Sequence, residues 1–270
     1  GIPYSDPLAD GPEIFKASFS AVQNGVNAEK VFEILKGVQT RKPLVFLVYY
    51  NVIFAYGARE FVAQAARYGI SGLIIPDLPY EENEEIFALC EEFGIALIPL
   101  ISVTSEHRAA RVLSRARGFI YGVGAIGVTG SKQTPISRLK NMVADLKKMS
   151  DLPVAIGFGI RNSSDVRATK EYADGAIIGT AIVNLCANYG GRELQNKFLI
   201  LIANFCLGAN LMQYDLFNHD DSVDIALAFD SAYKPDIVRR VDGQSMSLIL
   251  KGLGGDEKFN EMRTNQKVLK

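Results

Sequence analysis

The sequence predicts an α/β fold, a (β/α)8 or TIM barrel, and three observations favour it. Short apolar runs alternate with longer amphipathic stretches between residues 30 and 190. The apolar runs are continuous, as is typical of parallel strands that are covered by helices on both faces. Six such units in a row favour a barrel over an open sheet. The predicted strands are residues 44–50, 72–75, 96–101, 118–123, 154–158 and 175–179.

The stretches between the predicted strands carry apolar residues at helical spacing. Side-chain oxygens at helix starts, such as those of Asn162 and Asp165, can cap free N–H groups. Residues 192–206 have the pattern of a closing helix. The other predicted helices are residues 58–68, 82–93, 106–115, 136–149 and 163–171.

The two ends of the sequence depart from a complete barrel. Residues 1–4 are interpreted as the tail of a strand, so the first strand–helix unit and most of the second strand are expected to be absent. Such a barrel has an open edge with unpaired N–H and C=O groups. We expect a partial TIM-barrel domain over residues 1–205 and a C-terminal extension of unknown structure over residues 206–270. In the extension, residues 223–229 and 247–250 are candidate strands for that edge.

Composition excludes several classes of function. The chain has 29 Lys and Arg residues against 30 Asp and Glu residues, which does not indicate a nucleic-acid partner. Its longest apolar run, about ten residues, is too short to cross a bilayer. Neither histidine has metal-ligand spacing around it, so no metal site is expected there. The three cysteines lie far apart in apolar stretches, which fits reduced thiols and a cytoplasmic location, or the plastid stroma in a photosynthetic eukaryote.

The first candidate site is the loop Ser5-Asp6-Pro7-Leu8-Ala9-Asp10-Gly11-Pro12. It follows the strand tail, and active sites of barrel enzymes lie in the loops after strands. A carboxylate held in a loop stiffened by two prolines can hydrogen-bond a substrate N–H or accept its proton. The alternative is a plain turn in which both aspartates occupy capping positions.

Glycine-rich turns after the last three predicted strands form the second candidate site. They are Gly127-Val128-Thr129-Gly130, Gly157-Phe158-Gly159-Ile160 and the run from Gly175 to Ala181. Glycines let backbone N–H groups approach an anion, and the helix that begins near Thr180 adds its positive end. Three such turns in successive late loops favour phosphate binding, whereas a single one would indicate only a tight turn.

Aromatic residues near strand ends suggest a slot for a flat ring. Tyr49, Tyr121 and Phe158 have this position, although each could equally fill the barrel interior. Asp77 also follows a strand, where it could act in catalysis or cap the next helix.

Taken together, these motifs resemble the tryptophan synthase alpha chain family. The loop of residues 5–12 resembles the family's signature loop, and Tyr49-Tyr50-Asn51, Pro76-Asp77-Leu78-Pro79 and the three glycine-rich turns follow in the family's order. The resemblance covers roughly residues 1–205. It implies a lyase that cleaves indole-3-glycerol phosphate to indole and glyceraldehyde 3-phosphate by a retro-aldol reaction. It also implies no cofactor in this chain and a pyridoxal-phosphate beta chain as partner.

The resemblance implies a role for each matching residue. Asp10 would accept the indole N–H, Thr129 would hold the loop of Asp10, and Tyr121 would complete the catalytic group. Asp6, Pro7 and Asn51 would lie near the beta chain. The ring would contact Leu47, Tyr49 and Phe158, and the phosphate would be held by Gly130, Gly159, Gly179 and Thr180.

The sequence also departs from the family. The family's general acid/base glutamate lies two residues before the glycine that is Gly1 here, a position that this sequence does not contain. Val52 stands where proline is common, and Gly122–Ile126 is more apolar than expected. Two alternatives therefore stay open: a non-catalytic module that binds a phosphate ligand or a beta chain, and another phosphosugar isomerase or aldolase built on the same barrel.

Overall fold

The computed structural model describes residues 1–40, 42–105, 108–124, 135–157, 160–208 and 224–227. All strand pairs in these ranges are parallel, and the strands form two sheets. The first sheet has the order β1-β2-β3 and the second the order β4-β5-β6-β7-β8. The strands are β1 (Leu44–Leu47), β2 (Ile70–Ile74), β3 (Ala96–Leu97), β4 (Leu100–Ser102), β5 (Ile120–Val123), β6 (Val154–Gly157), β7 (Gly175–Ile178) and β8 (Asp224–Leu227).

Helices follow most of the strands, as the alternating pattern predicts. A 3-10 helix at Tyr80–Glu82 precedes α5. The α-helices are α1 (Pro12–Gln23), α2 (Ala28–Leu35), α3 (Tyr50–Tyr56), α4 (Ala58–Arg67), α5 (Glu84–Phe93), α6 (Ala109–Leu113), α7 (Ile136–Met149), α8 (Ser163–Lys170), α9 (Thr180–Asn188) and α10 (Gly191–Gly208). The capping prediction for α8 is confirmed, because Asn162 and Asp165 form a reciprocal capping box at its start.

One inner cluster of side chains joins the two sheets. Alternate strand residues point in opposite directions, so one face of each strand packs against helices while the other contributes to this cluster. The inner cluster contains Ile74, Ile98, Tyr121, Ala155 and Ile177, which come from β2, the segment between β3 and β4, β5, β6 and β7. Both sheets therefore curve around the same interior, as the strands of a barrel do.

The structure corrects several predicted boundaries. The strand predicted over residues 44–50 ends at Leu47, and α3 begins at Tyr50. The strand predicted over 96–101 is divided into β3 and β4, since Pro99 has no N–H for the ladder. The three helices α1, α2 and α3 had no counterpart in the prediction.

The two ends of the chain contact the sheets in different ways. Residues 1–4 form no assigned strand, but the Ile2 N–H donates to the carbonyl of Leu47 at 3.1 Å. From the predicted extension, β8 pairs with β7 in the register Gly175 to Asp224 and Ile178 to Leu227. The other candidate strand, 247–250, lies outside the described residues. In the described part of the chain no helix is long and apolar enough to cross a membrane.

Candidate functional site

The loop that carries Asp10 is held by hydrogen bonds at both ends. At its start, the Ser18 hydroxyl of α1 accepts from the Tyr4 N–H at 2.8 Å and donates to the Tyr4 carbonyl at 2.9 Å. Near its end, the Tyr49 hydroxyl accepts from the Ala9 N–H at 3.0 Å. The loop is thus held in place at both ends by hydrogen bonds to other segments of the chain.

Asp10 lies within electrostatic reach of two tyrosines. Burial raises the pKa of Tyr49, the Ala9 N–H opposes this, and the negative charge and hydrogen bond of Asp10 raise the pKa further. Burial also raises the pKa of Tyr121, and the charge of Asp10 adds to that effect. Both phenols therefore stay neutral at physiological pH and can donate hydrogen bonds to a carboxylate or to a substrate.

The position of Tyr121 depends on a glycine in the neighbouring strand. A Cβ atom built at Gly157 would overlap the hydroxyl and ring of Tyr121. The register pairs Val123 of β5 with Gly157 of β6, so the ring of Tyr121 crosses the end of the adjacent strand. Tyr121 is 5% exposed there and belongs to the inner cluster.

Helix α9 begins directly after Gly179, and no side chain at that position caps its first N–H groups. A Cβ atom at Gly179 would meet nothing closer than the Ile14 side chain at 4.0 Å, and the backbone φ of −113° suits any residue. The glycine therefore leaves space that a ligand atom can occupy.

Helix α1 connects the two parts of the site. It begins directly after Asp10 and Gly11, and it packs against α9. Through Ile14 it approaches Gly179. The Asp10 loop and the start of α9 are therefore connected through α1.

The remaining predicted site residues occupy varied positions. Leu47 is half-buried at the end of β1, beside the inner cluster. Thr180 is half-buried as the first residue of α9. Four predicted residues, Thr129, Gly130, Phe158 and Gly159, lie outside the described residues.

The residues expected at a partner interface lie close together on the surface. Asn51 is exposed and donates from Nδ2 to the Tyr4 hydroxyl at 3.0 Å, which joins the start of the loop to α3. Asp6 is exposed, and Pro7 is half-buried. On the same two segments, Leu8 is 75% exposed and Phe54 is 68% exposed.

Two residues have roles that the sequence did not indicate. Asp77 Oδ1 accepts from the Tyr50 N–H at 2.8 Å, so this carboxylate caps the start of α3. The sequence had suggested that it caps the helix after Asp77. Ser18 was not predicted as part of the site. A polar residue on the buried side of α1 is the one signal that could have identified it.

This arrangement defines the class of protein: an α/β enzyme in which a loop carboxylate lies close to two neutral phenols. In the described ranges, no group of three or more His, Cys, Asp and Glu side chains could hold a metal ion.

Comparisons with known proteins identify the family. A family model described as the tryptophan synthase alpha chain matches residues 1–205. The tryptophan synthase alpha chain of Campylobacter jejuni is 43% identical over 198 residues, which cover 73% of this chain and 79% of the relative. That of Lacticaseibacillus casei is 44% identical over 189 residues, covering 69% and 71%. The chain belongs to the tryptophan synthase alpha chain family.

Solved structures agree with this assignment and with the TIM-barrel fold. The alpha subunit from C. jejuni has a TM-score of 0.67 at 42% identity, with 74% of this chain and 81% of that chain covered. A tryptophan synthase structure from Mycobacterium tuberculosis has a TM-score of 0.70 at 31% identity, covering 77% and 78%. The family consists of lyases that cleave indole-3-glycerol phosphate to indole and glyceraldehyde 3-phosphate in tryptophan biosynthesis.

Proposed function

We propose that this chain binds indole-3-glycerol phosphate between the Asp10 loop and the start of α9. The observation that carries the proposal is the placement of Asp10. Its carboxylate is hydrogen-bonded to Tyr49 and lies within electrostatic reach of Tyr121. Asp10 accepts the indole N–H, and its negative charge stabilises the positive charge that the ring acquires during cleavage. Gly179 and Thr180 hold the phosphate at the helix N-terminus.

The reaction requires two proton movements besides the contact with Asp10. A proton is added to C3 of the indole, the bond between C3 and the side chain breaks, and its electron pair returns to the ring. The side-chain hydroxyl on the departing carbon loses its proton and becomes the aldehyde. Because Asp10 must stay charged beside the ring nitrogen, the acid that protonates C3 is a separate group.

Tyr121, Leu47 and Tyr49 form the walls that receive the ring. Tyr121 and Leu47 border the inner cluster, which is apolar and excludes water. The neutral phenol of Tyr49 lies against Asp10, where it orients the carboxylate and presents one edge to the ring.

The absence of tryptophan from the sequence provides a direct test of binding. Indole fluorescence then comes only from the ligand, so titration of the chain with indolepropanol phosphate measures binding without interference. We expect saturable binding that is lost in Asp10→Asn and retained in Asp151→Asn, an exposed aspartate just before β6. Equal affinity of these two variants would contradict the proposal.

Turnover is measured on the same variants as release of indole from indole-3-glycerol phosphate. Removal of a group that acts in proton transfer or charge stabilisation typically lowers a rate by about 100- to 10,000-fold, and we expect Asp10→Asn to fall in that range. Binding without any release of indole by the unaltered chain would favour a non-catalytic binding module.

We also propose that the surface formed by Leu8, Phe54, Asp6, Pro7 and Asn51 binds a tryptophan synthase beta chain. Leu8 and Phe54 are both large, apolar and mostly exposed, on two segments that the Asn51–Tyr4 hydrogen bond joins, and exposed apolar surface is typical of a protein interface. Sedimentation of the chain with a beta chain tests this. Leu8→Ser and Phe54→Ser are expected to weaken the complex, whereas Ile200→Ser, an exposed residue on α10, is not.

The thiol of Cys90 supports a reducing compartment such as the cytoplasm. It is buried in the described structure and forms no disulfide, and burial raises its pKa to about 12.

A further inference from the structure

We propose that Ser18 is a positioning residue that holds the Asp10 loop in its active arrangement. Its hydroxyl bonds both backbone polar groups of Tyr4, at 2.8 Å and 2.9 Å, across 14 residues of sequence. Tyr4 is the last residue before the loop and Ser18 lies on the helix after it, so this one side chain fixes the two ends of the loop relative to each other.

The hydroxyl of Ser18 is unusual for a serine inside a helix. Such side chains commonly bond a carbonyl of their own helix, and serine favours a helix less than alanine does. Thr169 shows the common behaviour in this chain, because its hydroxyl donates to the carbonyl of Asp165 on α8. Ser18 and Thr169 are the two buried polar residues among those that the structure describes, and Ser18 instead reaches a distant segment.

Contacts lead from Ser18 to the residue beside Asp10. Ser18 holds the backbone of Tyr4, whose ring lies 5.4 Å from the ring of Tyr49 between centroids. The Tyr49 hydroxyl in turn binds the Ala9 N–H at 3.0 Å. Release of Tyr4 would therefore loosen the packing that places the Tyr49 hydroxyl, and with it the backbone next to Asp10.

Hydrogen exchange at the Ala9 amide tests this directly and does not depend on turnover. Exchange is compared in the unaltered chain, Ser18→Ala, Ser18→Thr and the matched control Ser20→Ala, an exposed serine on the same helix. We expect Ser18→Ala to speed exchange at Ala9 about tenfold or more, and Ser18→Thr to restore it because the hydroxyl is kept. Should Ser18→Ala not fold, Ser18→Cys keeps the volume and weakens the hydrogen bonds.

A kinetic test adds a readout that a purely structural role would not change. If the proposed function holds, Ser18→Ala lowers kcat by up to about 100-fold because Asp10 is misplaced, while KM changes little because the phosphate site is intact. Its melting temperature falls below that of Ser20→Ala, because the Tyr4 N–H loses its partner, so kcat is compared at a temperature where both variants are folded.

The outcomes of the two tests are separate. This inference rests on the proposed function only for the change in kcat. If the unaltered chain neither binds the ligand nor releases indole, that result contradicts the proposed function and leaves the role of Ser18 to the exchange experiment. Exchange at Ala9 that is the same in Ser18→Ala and Ser20→Ala overturns the role of Ser18 in every case.

Discussion

The Tyr49 hydroxyl accepts a hydrogen bond from the Ala9 N–H at 3.0 Å, across 40 residues of sequence. Tyr49 is 2% exposed, and Tyr49→Phe removes this hydrogen bond from a partly buried backbone N–H. We expect the free energy of unfolding to fall by about 1–3 kcal/mol in urea denaturation. Affinity for indolepropanol phosphate should fall as well, because Asp10 follows Ala9. Tyr50→Phe is the control, and equal affinities of the two variants would count against this role of Tyr49.

The space beside Gly179 gives a second prediction. Gly179→Ala is expected to leave the melting temperature unchanged or slightly raised, because the site is open and alanine restricts the unfolded chain. Its added methyl group would stand where the phosphate binds. Affinity for a phosphate-bearing ligand should therefore fall about tenfold, which corresponds to about 1.4 kcal/mol.

Gly190→Ala is the matched control for this variant, since a Cβ atom at Gly190 likewise has space around it and meets no atom within 4 Å. Isothermal titration compares the two. If Gly179→Ala binds the ligand with unaltered affinity, Gly179 does not contribute to phosphate binding.

Asp77 gives a third prediction, which separates capping from catalysis. Its carboxylate accepts from the Tyr50 N–H at 2.8 Å at the start of α3. Asp77→Ala should lower stability by about 1 kcal/mol in urea denaturation, and Asp77→Asn should retain most of the stability because asparagine is also a good cap. Neither substitution should change kcat, and a loss of kcat greater than the loss of folded protein would restore the catalytic interpretation.

Alkaline pH gives a fourth prediction. Burial, with a contribution from Asp10, raises the pKa of Tyr121 above its ordinary value of 10.0. The folded state therefore binds this proton more tightly than the unfolded state. The contribution of Tyr121 to the free energy of unfolding is therefore fully present below pH 10 and is lost as the pH rises above 10.

Urea denaturation at pH 8 and pH 11 measures this loss. Tyr121→Phe carries no ionisable group at this position, so its stability should fall less between the two pH values than that of the unaltered chain. Tyr80→Phe, a partly exposed tyrosine, is the control. If the free energy of unfolding falls as steeply in Tyr121→Phe as in Tyr80→Phe, ionisation of Tyr121 does not contribute to the loss of stability at alkaline pH.

The sequence predicted the strands well where burial alone determines them. The runs that became β5, β6 and β7 are apolar on both faces, and the structure buries nearly every residue in them. A strand that is covered on both sides needs no long-range information to be recognised. The prediction that residues 223–229 contain a strand is likewise confirmed by β8. This strand pairs with β7, as expected of a segment that covers the open edge of the barrel.

The site could be predicted only in part, because its decisive contacts join distant residues. The loop of residues 5–12 was recognised as a motif, but the bonds from Ser18 to Tyr4 and from Tyr49 to Ala9 span 14 and 40 residues. The local pattern shows only that Ser18 lies on the buried side of α1, and it does not reveal the distant segment to which its hydroxyl binds. The helix α3 was missed for a related reason, since its residues continue the apolar run of β1 with only Asn51 between the two.

The overlap between a Cβ at position 157 and the Tyr121 side chain links these two positions in any variant library. A larger residue at 157 would be accepted only together with a smaller one at 121, so the change at 157 alone should fail where the paired change survives. Selection for function would then recover the two substitutions jointly, and an experimenter redesigning the ring slot has to alter both strands at once.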